Sequence, residues 1–354
     1  ARGLAAQGHE VRVLAPAPVE PSEPPEWPGI EVRWVRYARP KRLQTTFYDS
    51  GAPDNLQRTP TKWLGAASFS AALLVTARRE LADCDALLSS WSIPSGLVAS
   101  SIAGKRTHLC ICHATDVRWL SKLPGSRLIA RQIAKGVTSM WFLSRTLRDQ
   151  FFATAGLDPS SIGVHVGPMP IDAPIHLGEP RAELRRRLGI EGFTLLFLGR
   201  LVPVKGLDQL LLAISQLRDP VSLRIAGDGP ERRRLLEQVR VLGIDARFEG
   251  WVAGRRKEAL LRACDAIVVP SRAKDGLPTV LFEAKARRLP IITTATGAIA
   301  EHIHGEPDAV VVRVDDVAAL GRAIDRLRVC LLYTSDAADD YFWVLVWGGG
   351  GGWG

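Results

Sequence analysis

Asp275 and Glu283, two carboxylates eight positions apart, are the residues whose types and spacing say most about chemistry. Between them a Gly-Leu-Pro turn, residues 276–278, joins a buried apolar strand at residues 266–270 to an apolar helix. The amino end of a helix carries about half a positive charge and favours phosphate. A carboxylate accepts hydrogen bonds from hydroxyl groups. The segment therefore predicts a ligand that is part phosphate and part polyol, such as a nucleotide sugar.

Two cations stand in a second segment, residues 199–206, which reads Gly-Arg-Leu-Val-Pro-Val-Lys-Gly. Gly199 is expected to let the backbone turn tightly as the preceding strand ends. Arg200 and Lys205 then lie beside a helix N-terminus, an arrangement that suits a diphosphate. Taken alone, the segment is better explained as a solvated loop with two surface charges. Its position at the carboxyl end of a predicted strand favours the binding site.

Residues 227–230, Gly-Asp-Gly-Pro, end the next strand and open the next helix. The glycines permit close approach of the backbone to a ligand, and proline suits the first turn of a helix. An ordinary strand-to-helix turn explains this segment equally well.

The elements that must position these residues alternate regularly along the chain. Strands are predicted at residues 10–15, 30–36, 85–89, 107–113, 137–143 and 162–166, and again at 193–198, 222–226, 247–249, 266–270, 290–294 and 309–312. Helices separate most of them, and a Pro-rich hinge at residues 168–174 divides the two series. This alternation predicts an α/β protein with two Rossmann-like domains, whose parallel sheets face each other across a cleft. Ligands of such sheets bind at the carboxyl ends of the strands.

The bulk composition is that of a globular protein. With 354 residues, 46% of them hydrophobic, the chain is long enough for two domains with real cores. The sequence has no run of eighteen apolar residues, so no membrane-spanning helix is expected. The five cysteines have no C-x-x-C spacing, so we expect a reducing cytoplasm. Cys112 and His113 are adjacent on a strand and would point apart, so no metal site is predicted there.

Both ends of the chain depart from the pattern. It starts inside a predicted helix without an initiator Met, where a strand and a loop should come first. From about Val329 the sequence loses helical continuity with residues 320–327 and ends in a run of glycines. We therefore expect a first domain at residues 1–170, truncated at its start, a second at 171–328, and a non-native tail at 329–354.

Taken together, these segments resemble the retaining glycosyltransferases of family 4, which have the GT-B fold. The matching stretches are residues 199–206, 227–230, 248–252, 270–284 and 290–297, with Glu301. The resemblance covers nearly all of residues 1–328 and is stronger in the second half. The combination of segments is specific, although no single segment is.

The resemblance implies a role for each candidate residue. Four would take part in the chemistry: His113, Arg200, Lys205 and Asp275. Five would contact the donor: Gly199, Gly227, Gly276, Leu277 and Glu283. Arg200 and Lys205 would hold the departing diphosphate, and Glu283 the ribose. Asp275 stands where the family has the first Glu of its E-x7-E motif, a contact to the donor sugar, and is one methylene shorter. Lys285, Arg287 and Arg288 would give this helix a more basic face than is usual in the family.

In the first half, residues 113–116, His-Ala-Thr-Asp, resemble the family's His-Gly-x-Asp segment. The resemblance implies that His113 lies near the donor sugar and the acceptor hydroxyl. By itself, a histidine at a strand end is more often a packed or capping residue. For Asp116 and for Ser144, which follows the strand at 137–143, the simpler interpretation is a helix N-cap.

The expected reaction is transfer of a sugar from a nucleotide-diphosphate sugar to a saccharide or lipid-linked acceptor, keeping the anomeric configuration. No enzyme nucleophile and no Asp-x-Asp are apparent, so we expect front-face displacement with no metal and no cofactor. Two alternatives stay open: a GT-B sugar-nucleotide epimerase, and a nucleotide-sugar-binding fragment without catalysis. Product analysis would separate the first, and donor binding without turnover would indicate the second.

Basic residues outside these segments bear on other partners. They form two groups, one of Arg33, Arg36, Arg39, Lys41 and Arg42, and one of Arg127, Arg131 and Lys135. The second group could touch an anionic membrane from the cytoplasmic side, although a solvated face is the simpler explanation. No aromatic and basic interleaving supports nucleic-acid binding, despite the net charge of +9.

Overall fold

The computed structural model describes residues 1–19, 27–40, 43–47, 55–56, 59–272, 276–303 and 305–335. The chain divides into two compact units, Ala1–Gly167 and Pro168–Gly354. The division falls at the start of the Pro-rich hinge, close to the boundary expected at residue 170. Each unit is described by itself below.

Parallel strands form two sheets in the unit Ala1–Gly167. The strands are β1 (Val11–Pro16), β2 (Ile30–Val35), β3 (Ala86–Ser90), β4 (Thr107–Cys112), β5 (Ser139–Phe142) and β6 (Gly163–Val166). β1 pairs with β2, and the other four pair in the order β3-β4-β5-β6. Every one of these pairings is parallel, as the alternation of strands and helices predicts.

The helices of this unit follow its strands. They are α1 (Arg2–Ala6), α2 (Lys62–Glu80), α3 (Leu97–Ile102), α4 (Ala114–Leu120), α5 (Ser126–Lys135) and α6 (Arg145–Ala155), with a π-helical turn at Ser92–Gly96. α6 shows how local sequence sets the bounds. Ser144 caps its amino end by accepting a hydrogen bond from the N–H of Leu147 at 3.2 Å, which confirms the predicted N-cap. The helix ends at Gly156, whose left-handed backbone a glycine adopts without strain.

A single parallel sheet of six strands forms the centre of the unit Pro168–Gly354. Its strands are β7 (Thr194–Leu198), β8 (Ser222–Ala226), β9 (Ala246–Gly250), β10 (Ala266–Val269), β11 (Ile291–Thr294) and β12 (Ala309–Val312). The order is β12-β11-β10-β7-β8-β9. The chain starts the sheet at β7, runs outward to β9, and returns to the other side of β7 with β10. The gap between β7 and β10 is therefore a topological switch point, where ligands of such sheets bind.

Helices cover this sheet and bury its strands. They are α7 (Arg181–Leu188), α8 (Leu207–Ser215), α9 (Arg232–Leu242), α10 (Gly254–Ala263), α11 (Thr279–Lys285), α12 (Gly297–Ile303) and α13 (Val317–Ser335). All four residues of β10 and all four of β11 are buried. Such unbroken burial is typical of a parallel sheet covered on both faces. The core joins β7, β8 and β10 to α8 and α13 through buried leucine, isoleucine and valine side chains.

The end of this unit differs from the sequence expectation. The predicted loss of helical continuity at Val329 is wrong, because α13 continues to Ser335. The physical reason is that Leu331 lies four residues after Leu327 and packs on the same core. Residues 336–354, the greater part of the expected tail, lie outside the described part of the chain. Within that described part, no helix is both long enough and apolar enough to cross a membrane.

Candidate functional site

The loop with the two predicted cations lies at the carboxyl edge of the six-stranded sheet. The N–H of Gly199 donates to the carbonyl of Ala226 at 3.0 Å, and the N–H of Leu201 donates to that of Asp228 at 2.9 Å. A 3-10 turn, Pro203–Lys205, then leads into α8. Backbone hydrogen bonds therefore attach this loop to the 227–230 loop of the neighbouring strand. The Arg200 side chain is exposed and that of Lys205 is half-buried.

Two glycines make this close approach possible. At Gly227 φ is +144°, and an added Cβ would lie 1.8 Å from the carbonyl oxygen of Gly199. At Gly206 φ is +66°, and a Cβ would lie 2.0 Å from the carbonyl oxygen of Pro270. Neither position has room for a side chain. The 199–206 loop is thus pressed between the segments that follow β8 and β10.

The expectation that Gly199 makes the tight turn is wrong. Its backbone lies outside the left-handed region, and an added Cβ would make only ordinary contacts, the nearest at 3.8 Å to the Phe197 ring. The turn depends instead on Gly206 and on the partner glycine across the contact, Gly227. Any donor contact by Gly199 or Gly227 stays a prediction.

Arg272 is a functional candidate that the sequence reasoning missed. It follows β10, and its guanidinium donates to the Pro203 carbonyl at 2.6 Å and to the Asp208 carboxylate at 2.9 Å. A third hydrogen bond reaches Asp315 at 3.4 Å. Burial alone would lower the pKa of Arg272, but the hydrogen bonds that it donates to the Asp208 and Asp315 carboxylates raise the pKa above its ordinary value. The only sequence signal was its place directly after the Pro270-Ser271 pair.

Asp275, the predicted sugar contact, lies outside the described residues. The chain is described again from Gly276, which is half-buried, and Leu277, which is buried. Both precede α11, which begins after Pro278 without a side-chain cap. Their predicted backbone contacts to the donor remain predictions.

Glu283 lies on α11 and already has a cationic partner. Its carboxylate is 3.1 Å from the ammonium of Lys257 on α10, and its side chain is 14% exposed. A carboxylate has about four acceptor sites, so one ammonium leaves acceptor capacity for hydroxyl groups. Lys257 stands 26 positions earlier in the sequence, and no local pattern pointed to it.

The basic face expected on α11 is only partly present. Arg287 points inward, where its guanidinium binds the buried Glu258 carboxylate at 2.6 Å and the Glu283 carbonyl at 2.8 Å. Lys285 pairs with Glu306 at 2.7 Å. A buried arginine with a matched carboxylate serves the packing of α11 on α10 rather than a solvent-facing charge.

In the other unit, His113 ends β4 and is itself the N-cap residue of α4. Its Nε2 lies 3.1 Å from the hydroxyl of Ser90, which ends the neighbouring strand. Burial lowers the pKa of His113, so the imidazole is neutral at neutral pH. A neutral ring can both donate and accept a hydrogen bond, as a residue beside a reacting hydroxyl requires.

Asp116 does not act as an N-cap. It lies in the first turn of α4, is buried, and accepts a hydrogen bond from the N–H of Ser92 at 2.5 Å. This bond ties α4 to the turn that follows β3. Burial raises the pKa of Asp116 to about 7, against the lowering effect of its hydrogen bonds with Ser92.

One member of the basic group on α5, Arg131, is bound within the protein, while Arg127 and Lys135 are exposed. Arg131 donates to the carbonyls of Ala155 at 2.9 Å and Gly156 at 3.3 Å, at the carboxyl end of α6. In the other basic group, Arg33 pairs with Glu31 at 2.7 Å, while Lys41 and Arg42 lie outside the described residues. Whether the group on α5 is a solvated face or contacts a membrane surface stays a prediction. Among the described residues, no cluster of three His, Cys, Asp or Glu side chains is placed to hold a metal ion.

Both units match models of known protein families. A family model described as "Glycosyl transferases group 1" matches residues 192–328, and one described as "Glycosyl transferase 4-like domain" matches residues 1–165. One relative is the GDP-mannose-dependent alpha-(1-6)-phosphatidylinositol monomannoside mannosyltransferase of Mycobacterium tuberculosis. It is 30% identical over 272 residues, which are 72% of this chain and 68% of the relative. Another is the D-inositol 3-phosphate glycosyltransferase of Frankia alni, 28% identical over 92% of this chain and 83% of the relative.

Solved structures share the fold at lower identity. Sucrose-phosphate synthase from Thermosynechococcus elongatus has a TM-score of 0.70 at 18% identity, over 93% of this chain and 82% of that one. Anabaena Alr3699/HepE, solved in complex with UDP-glucose, has a TM-score of 0.63 at 18% identity, over 87% of this chain and 78% of that one. These similarities concern the fold alone.

Proposed function

The chain belongs to the glycosyl transferases of group 1, and from this premise we propose that it transfers a sugar from a nucleoside-diphosphate sugar to an acceptor hydroxyl with retention of configuration. The expected fold class, α/β of the GT-B type with two units of parallel sheet, is confirmed. The donor, the stereochemistry and the acceptor are the parts that this proposal adds.

One observation carries the proposal. The loop with Arg200 and Lys205 lies at the carboxyl edge of β7, beside the switch point, and is held there by backbone contacts to the segments after β8 and β10. A diphosphate carries concentrated negative charge, and two cations on a fixed loop are a suitable site for it. One relative is named as GDP-mannose-dependent, and this name supports the same class of donor.

The proposed mechanism follows from where charge develops. As the bond between the sugar and the diphosphate breaks, the leaving oxygen gains negative charge and the ring becomes cationic. Arg200 and Lys205 would stabilise the diphosphate, because donors fixed in place before the reaction need no reorganisation. Glu283, oriented by Lys257, would accept hydrogen bonds from the ribose hydroxyls. Asp275 would contact the donor sugar, and the role of His113 stays a prediction. The acceptor hydroxyl would attack from the face that the diphosphate leaves and pass its proton to the departing diphosphate oxygen.

The acceptor is proposed to be a glycolipid or saccharide hydroxyl, and the reaction to need no metal. The first point rests on relatives whose names include a phosphatidylinositol monomannoside and inositol 3-phosphate as acceptors. Cytoplasmic location and contact with a membrane surface stay predictions. Flotation with liposomes, with and without anionic lipid, tests the membrane contact.

The test is a donor panel followed by one substitution. Purified protein is incubated with UDP- and GDP-sugars and with candidate acceptors, with and without EDTA. The anomeric configuration of the product is read by NMR. Absence of transfer and of donor hydrolysis across the panel would overturn the proposal, and donor binding without turnover would favour the binding-fragment alternative. An isomerised nucleotide sugar would indicate the epimerase.

Lys205→Ala is expected to lower turnover by about a hundredfold, the usual loss for one donor to a developing anion. Lys105→Ala is the matched control, since Lys105 is an exposed lysine in the other unit. Turnover of the Lys205 variant within about twofold of the control would remove Lys205 from the site.

A further inference from the structure

Arg272 connects three separate segments of the unit Pro168–Gly354. Its side chain binds the 3-10 turn through the Pro203 carbonyl, the first turn of α8 through Asp208, and the loop after β12 through Asp315. Its own backbone N–H donates to the Val204 carbonyl at 2.8 Å.

The turn that Arg272 binds is the one that ends in Lys205. Two of the four contacts, to the carbonyls of Pro203 and Val204, precede Lys205 by two residues and by one. The contact to Asp208 follows it by three residues, at the start of α8. Arg272 therefore binds the backbone before Lys205 directly, and the start of α8 after it through the Asp208 carboxylate. A planar guanidinium can make these bonds in different directions at once, which a lysine ammonium on a flexible stem does less well.

We propose that Arg272 is a positioning residue that clamps the 3-10 turn Pro203–Lys205 and so sets the place of the cation at Lys205 for a nucleoside diphosphate. The inference rests on the proposed function, because the diphosphate is the ligand whose binding the clamp serves. Misplacement of a catalytic group by about 1 Å lowers rates by about a hundredfold. We expect a rate loss of this size if the turn relaxes when Arg272 is removed.

Direct binding of the diphosphate by Arg272 is the competing explanation, and Asp208 separates the two. If Arg272 acts through the clamp, Asp208→Asn weakens diphosphate binding as Arg272→Gln does, and the double variant is little worse than either single one. If Arg272 binds the ligand itself, removing the negative charge of Asp208 leaves binding unchanged or tighter. A double-mutant cycle measures this non-additivity.

The experiment uses the full chain and UDP and GDP as probes, titrated by calorimetry. Arg272→Gln is expected to raise the Kd by about tenfold, because a displaced Lys205 loses one charge-assisted hydrogen bond to the diphosphate. In the donor-panel assay the same variant is expected to lower turnover by about a hundredfold. Arg272→Lys should have a Kd between that of the wild type and that of Arg272→Gln. The control is Arg185→Gln. Arg185 also anchors β10, but at its opposite end, with bonds to Ala263 at 2.9 Å and Asp265 at 3.1 Å.

Hydrogen exchange of the peptide covering residues 199–206 supplies a readout that needs no ligand. Faster exchange there in Arg272→Gln, and not in Arg185→Gln, supports the clamp. Unchanged exchange overturns it, and so does a double-mutant cycle that is fully additive. If the wild type binds neither diphosphate, the donor assignment fails and the role in donor binding fails with it. The exchange result then still decides whether the clamp exists.

Discussion

Side chains hold two of the segments at strand ends in the unit Ala1–Gly167, whereas backbone contacts hold much of the 199–206 loop in the unit Pro168–Gly354. In the first, Ser144 caps α6 and the Asp116 carboxylate binds the turn after β3. In the second, α8 and α11 begin at Gly206 and Pro278 without a side-chain cap. Glycines there bring one loop to within contact distance of its neighbours.

The difference concerns which groups remain for chemistry. Where a carboxylate or hydroxyl stabilises a helix end, it makes its hydrogen bonds within the protein. In the 199–206 loop backbone groups make these contacts, and the Arg200 side chain is exposed. The unit Pro168–Gly354 thus holds its 199–206 loop largely by backbone contacts that only glycine permits. Among the described residues, Arg272 is one side chain that adds to them.

The largest expected effect tests the glycine contact. Gly227→Ala should lower the free energy of unfolding of its unit by about 3 kcal/mol or more, because a Cβ at φ of +144° is strained and meets the Gly199 carbonyl. Gly199→Ala, on the other side of the same contact, has room and should change it by less than about 1 kcal/mol. Urea denaturation of both variants measures the difference. Equal destabilisation would mean that the contact is not what holds the loops.

The second-largest effect tests the buried Asp116 carboxylate of the unit Ala1–Gly167 through the pH dependence of stability. The pKa of Asp116 is about 7 in the folded protein, against an ordinary value of 3.8. Between those values the folded state keeps a proton that the unfolded state has released, so stability falls as pH rises from about 4 to about 7. Asp116→Asn should remove that loss. The free energy of unfolding of Asp116→Asn, relative to that of the wild type, should therefore be about 2 kcal/mol higher at pH 7.5 than at pH 5.

His108 and His113 titrate in the same unit with the opposite sign. Burial lowers the pKa of both imidazoles, so they add stability as pH rises toward the ordinary histidine value. Because both variants contain them, the difference between wild type and Asp116→Asn isolates the carboxylate. Thermal melts at several pH values supply the curves. Parallel curves for the two proteins would contradict the assigned pKa.

The smallest effect tests the cap itself. Ser144→Ala should lower the free energy of unfolding by about 1 kcal/mol, the usual cost of a lost N-cap. Ser101→Ala is a control on the same unit, since its hydroxyl donates to the Val98 carbonyl at a helix end rather than capping an amino end. A chemical denaturation series compares the two. Equal losses would remove the distinction between a cap and an ordinary serine hydrogen bond.

Much of the fold followed from local pattern. The strands at Ser222–Ala226 and Ala309–Val312 match their predicted bounds, and most others differ by one or two residues. The sequence pattern predicts a helix over residues 69–81, but α2 begins at Lys62, seven residues earlier. Its first two turns include exposed residues such as Leu64 that break the apolar periodicity. α7 was not predicted, since five of its eight residues are charged.

The sequence by itself determined the alternation of strands and helices, the capping role of Ser144 and the placing of Arg200 and Lys205 at a strand end, because each depends on neighbours within a few residues. Only the tertiary structure decided that Arg272 binds Pro203 and Asp208, 69 and 64 positions away, and that Lys257 pairs with Glu283. It likewise decided the burial of Asp116. These contacts depend on which strands are neighbours and in which register, a choice made by the burial of the whole sheet rather than by any local segment.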